Sequence, residues 1–534
     1  MTNERTVIVG AGMAGLTAAA YLLREGHNVL LLEKNDRIGG LLDTFEHEGF
    51  YFDAGPRAFV NSGMVKPILN DLGISWDFRE NTISIGVEDE LIYVKSMEAL
   101  DQYQHALNKL YPENRDDIDK IIELIRKLSD YTKVLYQFDN PNFVDLTKDK
   151  KFIFTELIPW TIKLLLTLRK FDRYKMPMED ALARLTRNQS LTDIMTQLFF
   201  RQTPTYFSLG YFYVYLDYFY PKGGTIMLPT LLHEKIMAGG GQIELNRKVV
   251  EVNPAKSEVI DADGNRYQYD HLVWAADLKT LYRITNTGGL DSKTESAIAS
   301  EAEKILSSKG AESNFMMFIG VDRPLSYFRE RGGEHMFYTH YRQGLGETNR
   351  GDRQDLLDHF ESKTKEEIMQ WLDEYCRLNS YEVSVPGLRD PALTPDGQTG
   401  LMISCLFDYN IVKKIEEAGW HEEFKRRMEE NIIRLFSKSI YPDLDQDVLF
   451  KFSSTPLTIQ KIAGSSEGAI IGWTFEEEIP VENNLQDLPK SPVTSIPNVF
   501  KAGQWAYAPS GVPIAMLTGW HAAQKIIKGE KKKK

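Results

Sequence analysis

The residues best spaced for chemistry stand near the start of the chain. Gly10-Ala11-Gly12-Met13-Ala14-Gly15 lies between an apolar run, Thr6-Val7-Ile8-Val9, and an Ala/Leu-rich segment that reaches Arg24. A second apolar run, Asn28-Val29-Leu30-Leu31-Leu32, ends in Glu33. This order predicts strand, tight turn, helix, strand and acid. Gly10 lets the chain turn sharply, Gly12 lets backbone N–H groups approach a pyrophosphate at the positive end of the helix, and Gly15 lets that helix lie close on the strand. Glu33 stands eighteen residues after Gly15, where a carboxylate can accept both hydroxyls of an adenosine ribose. That favours a free 2′-OH, as in NAD or FAD, over a 2′-phosphate. Such a glycine turn also occurs as a plain structural corner, so the flanking residues decide.

Directly after Glu33 come Lys34-Asn35-Asp36-Arg37-Ile38-Gly39-Gly40-Leu41-Leu42-Asp43-Thr44, and then Phe52-Asp53-Ala54-Gly55-Pro56. This resembles the second signature of the large FAD-dependent family that holds amine oxidases, phytoene desaturases, carotenoid isomerases and retinol saturases. The resemblance implies that Arg37, Gly39 and Gly40 lie along the FAD diphosphate and ribityl chain, with Lys34 and Leu41 in the same cofactor-binding stretch. It puts Gly55 and Pro56 near the flavin ring and Arg57 next to it. Tyr220-Pro221-Lys222-Gly223-Gly224, a helix through Met237 and a following strand to Val252 look like the family's return to its FAD domain, with the Val249 backbone at the adenine. The run His271-Leu272-Val273-Trp274-Ala275-Ala276 resembles the edge of the cofactor site, which brings in Ala275.

The C-terminal piece fits the same resemblance. Asn498 to Gly503 reads as a last strand, followed by Gln504-Trp505-Ala506-Tyr507-Ala508-Pro509-Ser510-Gly511-Val512-Pro513 and a helix through Lys525. Pro513 suits a first helical turn, and that N-terminus would point at the flavin N1 and C2 carbonyl. Gly503, Gln504, Gly511 and Val512 are therefore expected at the cofactor. Gln504 departs from the family, which usually has an acid there to hold the ribityl chain; an amide both accepts and donates. Two further pieces resemble the carotenoid desaturase and isomerase branch: Asp390 to Gly397, and Thr455-Pro456-Leu457-Thr458-Ile459 running on to Gly468-Ala469-Ile470-Ile471-Gly472-Trp473. The second also reads as a loop before a strand.

At 534 residues the chain is too long for one core. The expected fold is α/β: a discontinuous Rossmann-type FAD-binding domain of the GR2-like flavoprotein kind (residues 1–75, 222–290 and 490–534). It is interleaved with a mixed-sheet α+β substrate domain (76–95 and 291–489) and a helical subdomain (96–221). A net charge of −13 argues against nucleic acid, which needs a basic face. The two cysteines, Cys376 and Cys405, have neither C-x-x-C nor metal spacing, which suits a reducing, cytoplasmic compartment. No metal site is expected, and the first residues lead into a strand without room for a signal peptide.

Residues 83–94 read as a hairpin, as do Glu258 to Tyr269 around Asp263-Gly264. Asn314 to Val321 and Gly400 to Leu406 read as strands, Thr364 to Arg377 and His421 to Ser437 as surface helices, and Gly344 to Gly351 as a loop with no helix after it. In Phe152 to Phe171, Glu156, Lys163, Thr167 and Lys170 form one narrow polar stripe on an apolar cylinder. Such a helix is either buried or lying in a membrane surface, and Glu156, Pro159 and Lys163 argue against a span. Nine aromatic residues crowd Tyr206 to Tyr220. They form either a core helix or the lining of a tunnel for a long apolar substrate.

These readings lead to an FAD-dependent oxidoreductase or isomerase acting on carbon–carbon double bonds of a long apolar molecule, such as a carotenoid, retinoid or related lipid. An amine oxidase and a non-catalytic lipid escort of the same fold are the alternatives. A single dinucleotide fingerprint leaves no second site for a nicotinamide, so electrons must come from or go to a diffusible partner. Arg57 is the first candidate for a cation beside the ring. Tyr220, Lys222 and Tyr507 are candidates for proton transfer.

Overall fold

The computed structural model describes residues 4–136, 138–143 and 153–533. Residues 1–3 and Phe152, on which two expectations rest in part, lie outside these. Strand Arg5–Val9 pairs with Asn28–Leu32 on one side and His271–Trp274 on the other, and Gln242–Glu244 and Val499–Lys501 complete a five-stranded sheet. All its pairings are parallel. Parallel neighbours need long crossovers that cover both faces, which is why Val7-Ile8-Val9 and Leu30-Leu31-Leu32 are unbroken apolar runs, all buried. Helix Met13–Arg24 packs between helices Met227–Ala238 and Val512–Lys533. The second contact is close: a Cβ on Gly519 would come 2.2 Å from the Ala14 carbonyl oxygen.

The stretch expected as one strand up to Val252 forms two. Gln242–Glu244 joins the parallel sheet, while Val249–Asn253 pairs with Glu258–Asp261 in a three-stranded antiparallel sheet. The break falls at Asn246, whose φ of 57° lies in the left-handed region that no strand continues through.

A seven-stranded sheet runs in the order Val448–Ser454, Ser313–Val321, Thr399–Phe407, Ser380–Ser384, His335–Thr339, Ile83–Val87, Glu90–Val94. Only the pairing of His335–Thr339 with Ile83–Val87 is parallel among those described. Strand residues alternate between its faces. Phe315, Met336, Tyr381, Val383 and Ile403 enter a core covered by helices Lys365–Leu378 and His421–Ser437. The intervening residues Asn314, His335, Phe337, Glu382 and Ser404 therefore belong to the opposite face, where the chemistry lies.

Helices Ala99–Leu110, Arg115–Tyr136, Ile158–Phe171 and Thr205–Val214 form much of the remaining layer. The aromatic stretch is not one helix: after a short turn, Tyr218–Pro221 becomes a strand between Phe59–Val60 and Phe78–Glu80. Gly344 to Gly351 carries no ligand geometry, and the Gly346 N–H donates to Asp193 (2.9 Å). A helix, Gly351–Asp358, does follow it, contrary to the sequence pattern, because that short polar helix lacks an apolar stripe. The Thr455 stretch is a helix, Pro456–Ala463, with proline in its first turn and Thr455 as its N-cap.

Helix Ile158–Phe171 is buried on one side and leaves an apolar row on the other, with Glu156, Lys163 and Lys170 exposed and only Thr167 of the polar stripe turned inward. Trp160, Thr167 and Phe171 are buried, whereas Phe154 just before it, Ile162 and Leu166 are 70%, 57% and 52% exposed. Trp160 anchors the inner face by donating to the Val134 carbonyl (2.7 Å). No helix among the described residues is long and apolar enough to cross a membrane.

Candidate active site

A cavity of about 760 Å³ lies at the carboxyl ends of the parallel strands, where Val9, Leu32 and Trp274 face it. Ligands of open α/β sheets bind in this place, and roughly 300–1,000 Å³ is usual for small-molecule sites. Gly10 turns with φ +104° and packs so tightly that a Cβ would come 2.7 Å from the Ala275 carbonyl oxygen. Gly12 is different. Its φ is an ordinary −77°, so glycine is needed there for space: a Cβ would stand in the cavity, 4.0 Å from Gly40 Cα. Gly12, Met13 and Ala14 present the amino end of helix Met13–Arg24 to the cavity, and that helix has no side-chain cap and no acid in its first turn. Free amides at a positive helix end suit a diphosphate.

Glu33 is buried beside them. Its Oε2 accepts from the Ala11 N–H (2.8 Å) and its Oε1 from the Asn35 N–H (2.9 Å). A carboxylate has about four acceptor sites, so two remain for ribose hydroxyls. Lys34, Gly39, Gly40 and Leu41 line the same cavity, as do Gly55, Pro56 and Arg57. From distant parts of the chain come Val249, Ala275, Gly503, Gln504, Gly511 and Val512. Ala11 and Gly15 stand behind this surface; a Cβ on Gly15 would come 2.0 Å from the Gly10 carbonyl oxygen. Arg37 does not line the cavity. Its side chain is 57% exposed and pairs with Asp36 and Asp43. Gln504 donates to Ser465 Oγ and the Ala469 carbonyl, both at 3.3 Å, so its amide N–H is spent within the protein.

Sequence reasoning missed the other wall of this cavity. Lys461, Gly464 and Ser465, at the end of helix Pro456–Ala463, line it opposite the glycine turn. The Lys34 ammonium donates to the Lys461 carbonyl (3.4 Å). The signal in hand was the Thr455-to-Trp473 resemblance, which carried no statement of where the stretch would sit.

A second cavity, of about 710 Å³, adjoins the first. Pro56, Arg57, Asn314, Ile471, Ser510 and Val512 line both. Aromatic side chains form one part of its wall, beside polar residues such as Gln197, Asn314, Asn484 and Asp487. Tyr206, Phe207, Tyr211, Tyr215 and Tyr218 come from the crowded stretch, joined by Phe171, Phe199 and Phe337. The hydroxyls are partly satisfied among themselves, with Tyr211 and Tyr218 bonded at 2.7 Å. Burial pushes the Tyr211 phenol up to about 12, so these groups stay neutral.

The charged chemistry is concentrated where the cavities meet. Arg57 is buried, pairs through Nη1 with Glu382 Oε2 (3.2 Å) and donates through Nη2 to Ser404 Oγ. Glu382 faces the aromatic cavity alone, and its other oxygen lies 2.9 Å from His335 Nε2. Burial would raise the Glu382 carboxyl, but the Arg57 charge and the His335 hydrogen bond outweigh it and hold it at about 2. Burial lowers the His335 imidazole and outweighs Glu382, so this histidine is neutral. Its tautomer follows from a chain of donors. Arg389 Nη1 donates to Asn81 Oδ1 (2.8 Å), which leaves the Asn81 amide to donate to His335 Nδ1 (3.2 Å) and His335 Nε2–H to donate to Glu382. None of Glu382, His335, Asn81, Arg389 and Ser404 was foreseen. The available signal was the period-two pattern Ser380-Tyr381-Glu382-Val383-Ser384, an acid on one face of a strand buried on the other.

The four candidates for chemistry part company. Arg57 and Tyr507 line the aromatic cavity. Burial pushes the Tyr507 phenol well up, which makes it a neutral hydroxyl. Tyr220 stands apart from both cavities, fully buried, donating to Asp53 Oδ2 (2.7 Å) beneath the Arg389 guanidinium, 3.9 Å from the ring centroid. Lys222 is exposed, outside both cavities, and its backbone N–H donates to the Asp77 carbonyl (3.0 Å).

With this geometry in hand, comparison with known proteins is informative. The family model for flavin containing amine oxidoreductase matches residues 13–527. The chain is 23% identical to a 4,4′-diaponeurosporene oxygenase of Staphylococcus haemolyticus over 98% of its length and 97% of that protein's. It is also 23% identical to an all-trans-retinol 13,14-reductase of Danio rerio, over 93% and 82% of the two chains. Putrescine oxidase bound to putrescine superposes with a TM-score of 0.58 at 14% identity, covering 98% of this chain and 99% of the other, a likeness of fold. A cavity of the right size and place, a free helix terminus and a buried acid with acceptor sites to spare all fit FAD. The chain thus belongs to the flavin containing amine oxidoreductase family and is an FAD-dependent oxidoreductase with that family's α/β fold.

Proposed function

We propose that this FAD-dependent oxidoreductase acts on carbon–carbon double bonds of a long apolar molecule, such as a carotenoid, retinoid or related lipid, by hydride exchange at flavin N5. The observation that carries this reading is the aromatic cavity of about 710 Å³ that meets the cofactor cavity at Arg57. Flat apolar walls hold a conjugated chain by contact without asking it for hydrogen bonds. The names of the carotenoid oxygenase and retinol reductase relatives agree with such a substrate.

FAD would lie with its adenosine against Glu33 and Val249, its diphosphate on Gly12, Met13 and Gly40, and its ring at the junction beside Pro56, Arg57 and Val512. When bound, it supplies hydride transfer. The protein's own part is to keep water out, align the chain along the tyrosines, and offer Tyr507 as a neutral hydroxyl. Arg37, Tyr220 and Lys222 are not given roles at the reacting atoms. A diffusible acceptor or donor, such as a quinone or oxygen, completes the electron balance. The outward apolar row on helix Ile158–Phe171 fits a peripheral contact with a membrane surface, since Leu168 and Phe171 of that helix also line the aromatic cavity.

Anaerobic incubation with polyene, retinoid, unsaturated lipid and amine substrates, followed by mass analysis, tests the reading. A change of two hydrogens in a polyene or retinoid, or an isomer of unchanged mass, is expected. Turnover of amines alone would replace it with an amine oxidase.

A further inference from the structure

We propose that Glu4, His27, His271 and Glu530 hold a divalent metal ion of the zinc class, which fastens the far end of helix Val512–Lys533 to the parallel sheet. The proposal does not depend on the substrate reading above.

The sheet register brings the group together. Arg5 pairs with Asn28 and Thr6 with His271. Glu4, just before strand Arg5–Val9, therefore falls beside His27, just before strand Asn28–Leu32, and His271 opens its own strand on the other side of Glu4. All three stand at the amino ends of the parallel strands, away from the cofactor cavity at the carboxyl ends. Glu530 comes from helix Val512–Lys533, whose Gly519 meets Ala14 at the start of helix Met13–Arg24. From there to Glu530 the helix runs about 16 Å, at about 1.5 Å per residue, which carries it to the amino edge of the sheet. Its inward stripe is Ala523, Ile526, Ile527 and then Glu530, all buried. A carboxylate where the stripe calls for an apolar side chain is stable only when its charge is balanced. No metal site was expected from the sequence because these ligands share no short spacing; only the register gathers them.

The distances suit coordination. Glu530 Oε1 lies 3.4 Å from His27 Nδ1 and 3.8 Å from His271 Nε2, and Glu4 Oε2 lies 3.5 Å from the same Nε2. The ligand atoms of Glu4, His271 and Glu530 all fall within 4.8 Å of one another. The three contacts are longer than N–H···O hydrogen bonds of about 2.7–3.2 Å. They approach the ligand–ligand edge of about 3.3–3.4 Å in a tetrahedron built on metal bonds of about 2.0–2.1 Å. The donor set chooses the ion. Two imidazole nitrogens with two carboxylate oxygens suit Zn²⁺, whereas Mg²⁺ and Ca²⁺ take shells of oxygen. Imidazole ligates in its neutral form, so the four ligands bring two negative charges, which a divalent ion balances. His27, His271 and Glu530 are more than nine-tenths buried, while the Glu4 side chain is 40% exposed and gives the ion a way in. The other end of the same helix, at Val512, lines both cavities. The ion is thus structural, holding that helix at its far end and taking no part in the chemistry.

The test uses the untagged, flavin-loaded chain, stripped with EDTA and returned to metal-free buffer. Calorimetric titration with ZnCl₂, with metal analysis after gel filtration, should show one tight equivalent per chain and a thermal midpoint that rises with zinc concentration. Glu530→Gln and Glu4→Gln should each weaken that equivalent at least tenfold and remove most of the rise, with flavin content unchanged. Glu4 stands at the open side, so its variant should fold even where Glu530→Gln does not, and it then decides alone. His359→Ala, which removes an exposed histidine–aspartate pair elsewhere (3.0 Å), should leave the equivalent in place. Tenfold excess of Mg²⁺ or Ca²⁺ should not displace the zinc. Absence of a tight equivalent, zinc binding within twofold of wild type in Glu4→Gln, or its loss in His359→Ala would overturn the proposal and leave an ion-pair cluster only. Displacement by Mg²⁺ or Ca²⁺ would overturn the assigned class of ion.

Discussion

The two cavities meet at Arg57 but are built from different material. The cofactor cavity is shaped chiefly by main chain: Gly10, Gly12, Gly40 and Gly55 bring peptide groups to its surface, and the amides of Gly12, Met13 and Ala14 close one end. The aromatic cavity is shaped by side chains that converge from helix Thr205–Val214, helix Ile158–Phe171 and four neighbouring strands of the large sheet. A main-chain surface tolerates almost no substitution, because a single Cβ fills it. A side-chain surface can be changed wall by wall while its overall volume is kept. On the placement proposed above, fixed recognition falls to the cofactor and adaptable recognition to the substrate.

Substitution of Gly12 should break this contrast most sharply. Gly12→Val puts its branched side chain into the cofactor cavity without backbone strain, so the chain should fold, elute as wild type and carry no flavin by absorbance. Retained flavin at wild-type stoichiometry would show that the space before Gly12 is not used. Next in size is Tyr211→Ala together with Tyr215→Ala. Opening the aromatic wall should weaken polyene binding by tenfold or more while the flavin spectrum and content stay unchanged. Coupled loss of both would mean that the cavities are not separable.

A pH effect of intermediate size sharpens the comparison at the junction. Glu382 is held at about 2, below its ordinary value of 4.5, chiefly by Arg57 and His335 against its burial. A carboxyl lowered on folding contributes stability that is complete above its unfolded value and is lost as pH falls toward the folded one. The stability lead of wild type over Glu382→Gln should therefore be full at pH 6 to 7 and shrink between about 4.5 and 2 in urea titrations. A lead that grew on acidification would contradict the assigned charge state. A smaller effect is expected from Tyr220→Phe, which loses the bond to Asp53 at a cost of about 1 kcal/mol and leaves the flavin potential alone. The smallest concerns the outer surface. Ile162→Asn with Leu166→Asn should reduce co-sedimentation with anionic vesicles several-fold, with flavin content and solution turnover of a dispersed substrate unchanged. Equal binding by the variant would remove this helix from any membrane contact.

Legibility in the sequence follows the same division. The glycine turn, Glu33 and Gly39-Gly40 were readable because backbone needs, a sharp corner and a peptide surface, leave glycine at fixed short spacings. Hairpins such as Ile83–Val87 with Glu90–Val94 and helices such as His421–Ser437 were readable because their periodicity is local. Arg37 and Lys222 were misplaced because a motif gives a position on the chain but not the direction of a long side chain, and Asp36 and Asp43 draw Arg37 outward. The helix at Ile158 was left between core burial and a membrane surface because an apolar cylinder has no unique buried face until Val134 and Trp160 choose one.

From the sequence alone, the strand–glycine turn–helix unit, FAD as the cofactor and the general class of fold could be determined, since each depends on residues near one another along the chain. Only the tertiary structure decided that Arg57, Glu382, His335, Asn81 and Arg389 form one buried relay at the meeting of two cavities. Those residues span more than three hundred positions. Their charges and tautomers depend on distances of about 3 Å set by sheet register and burial, which no local pattern encodes.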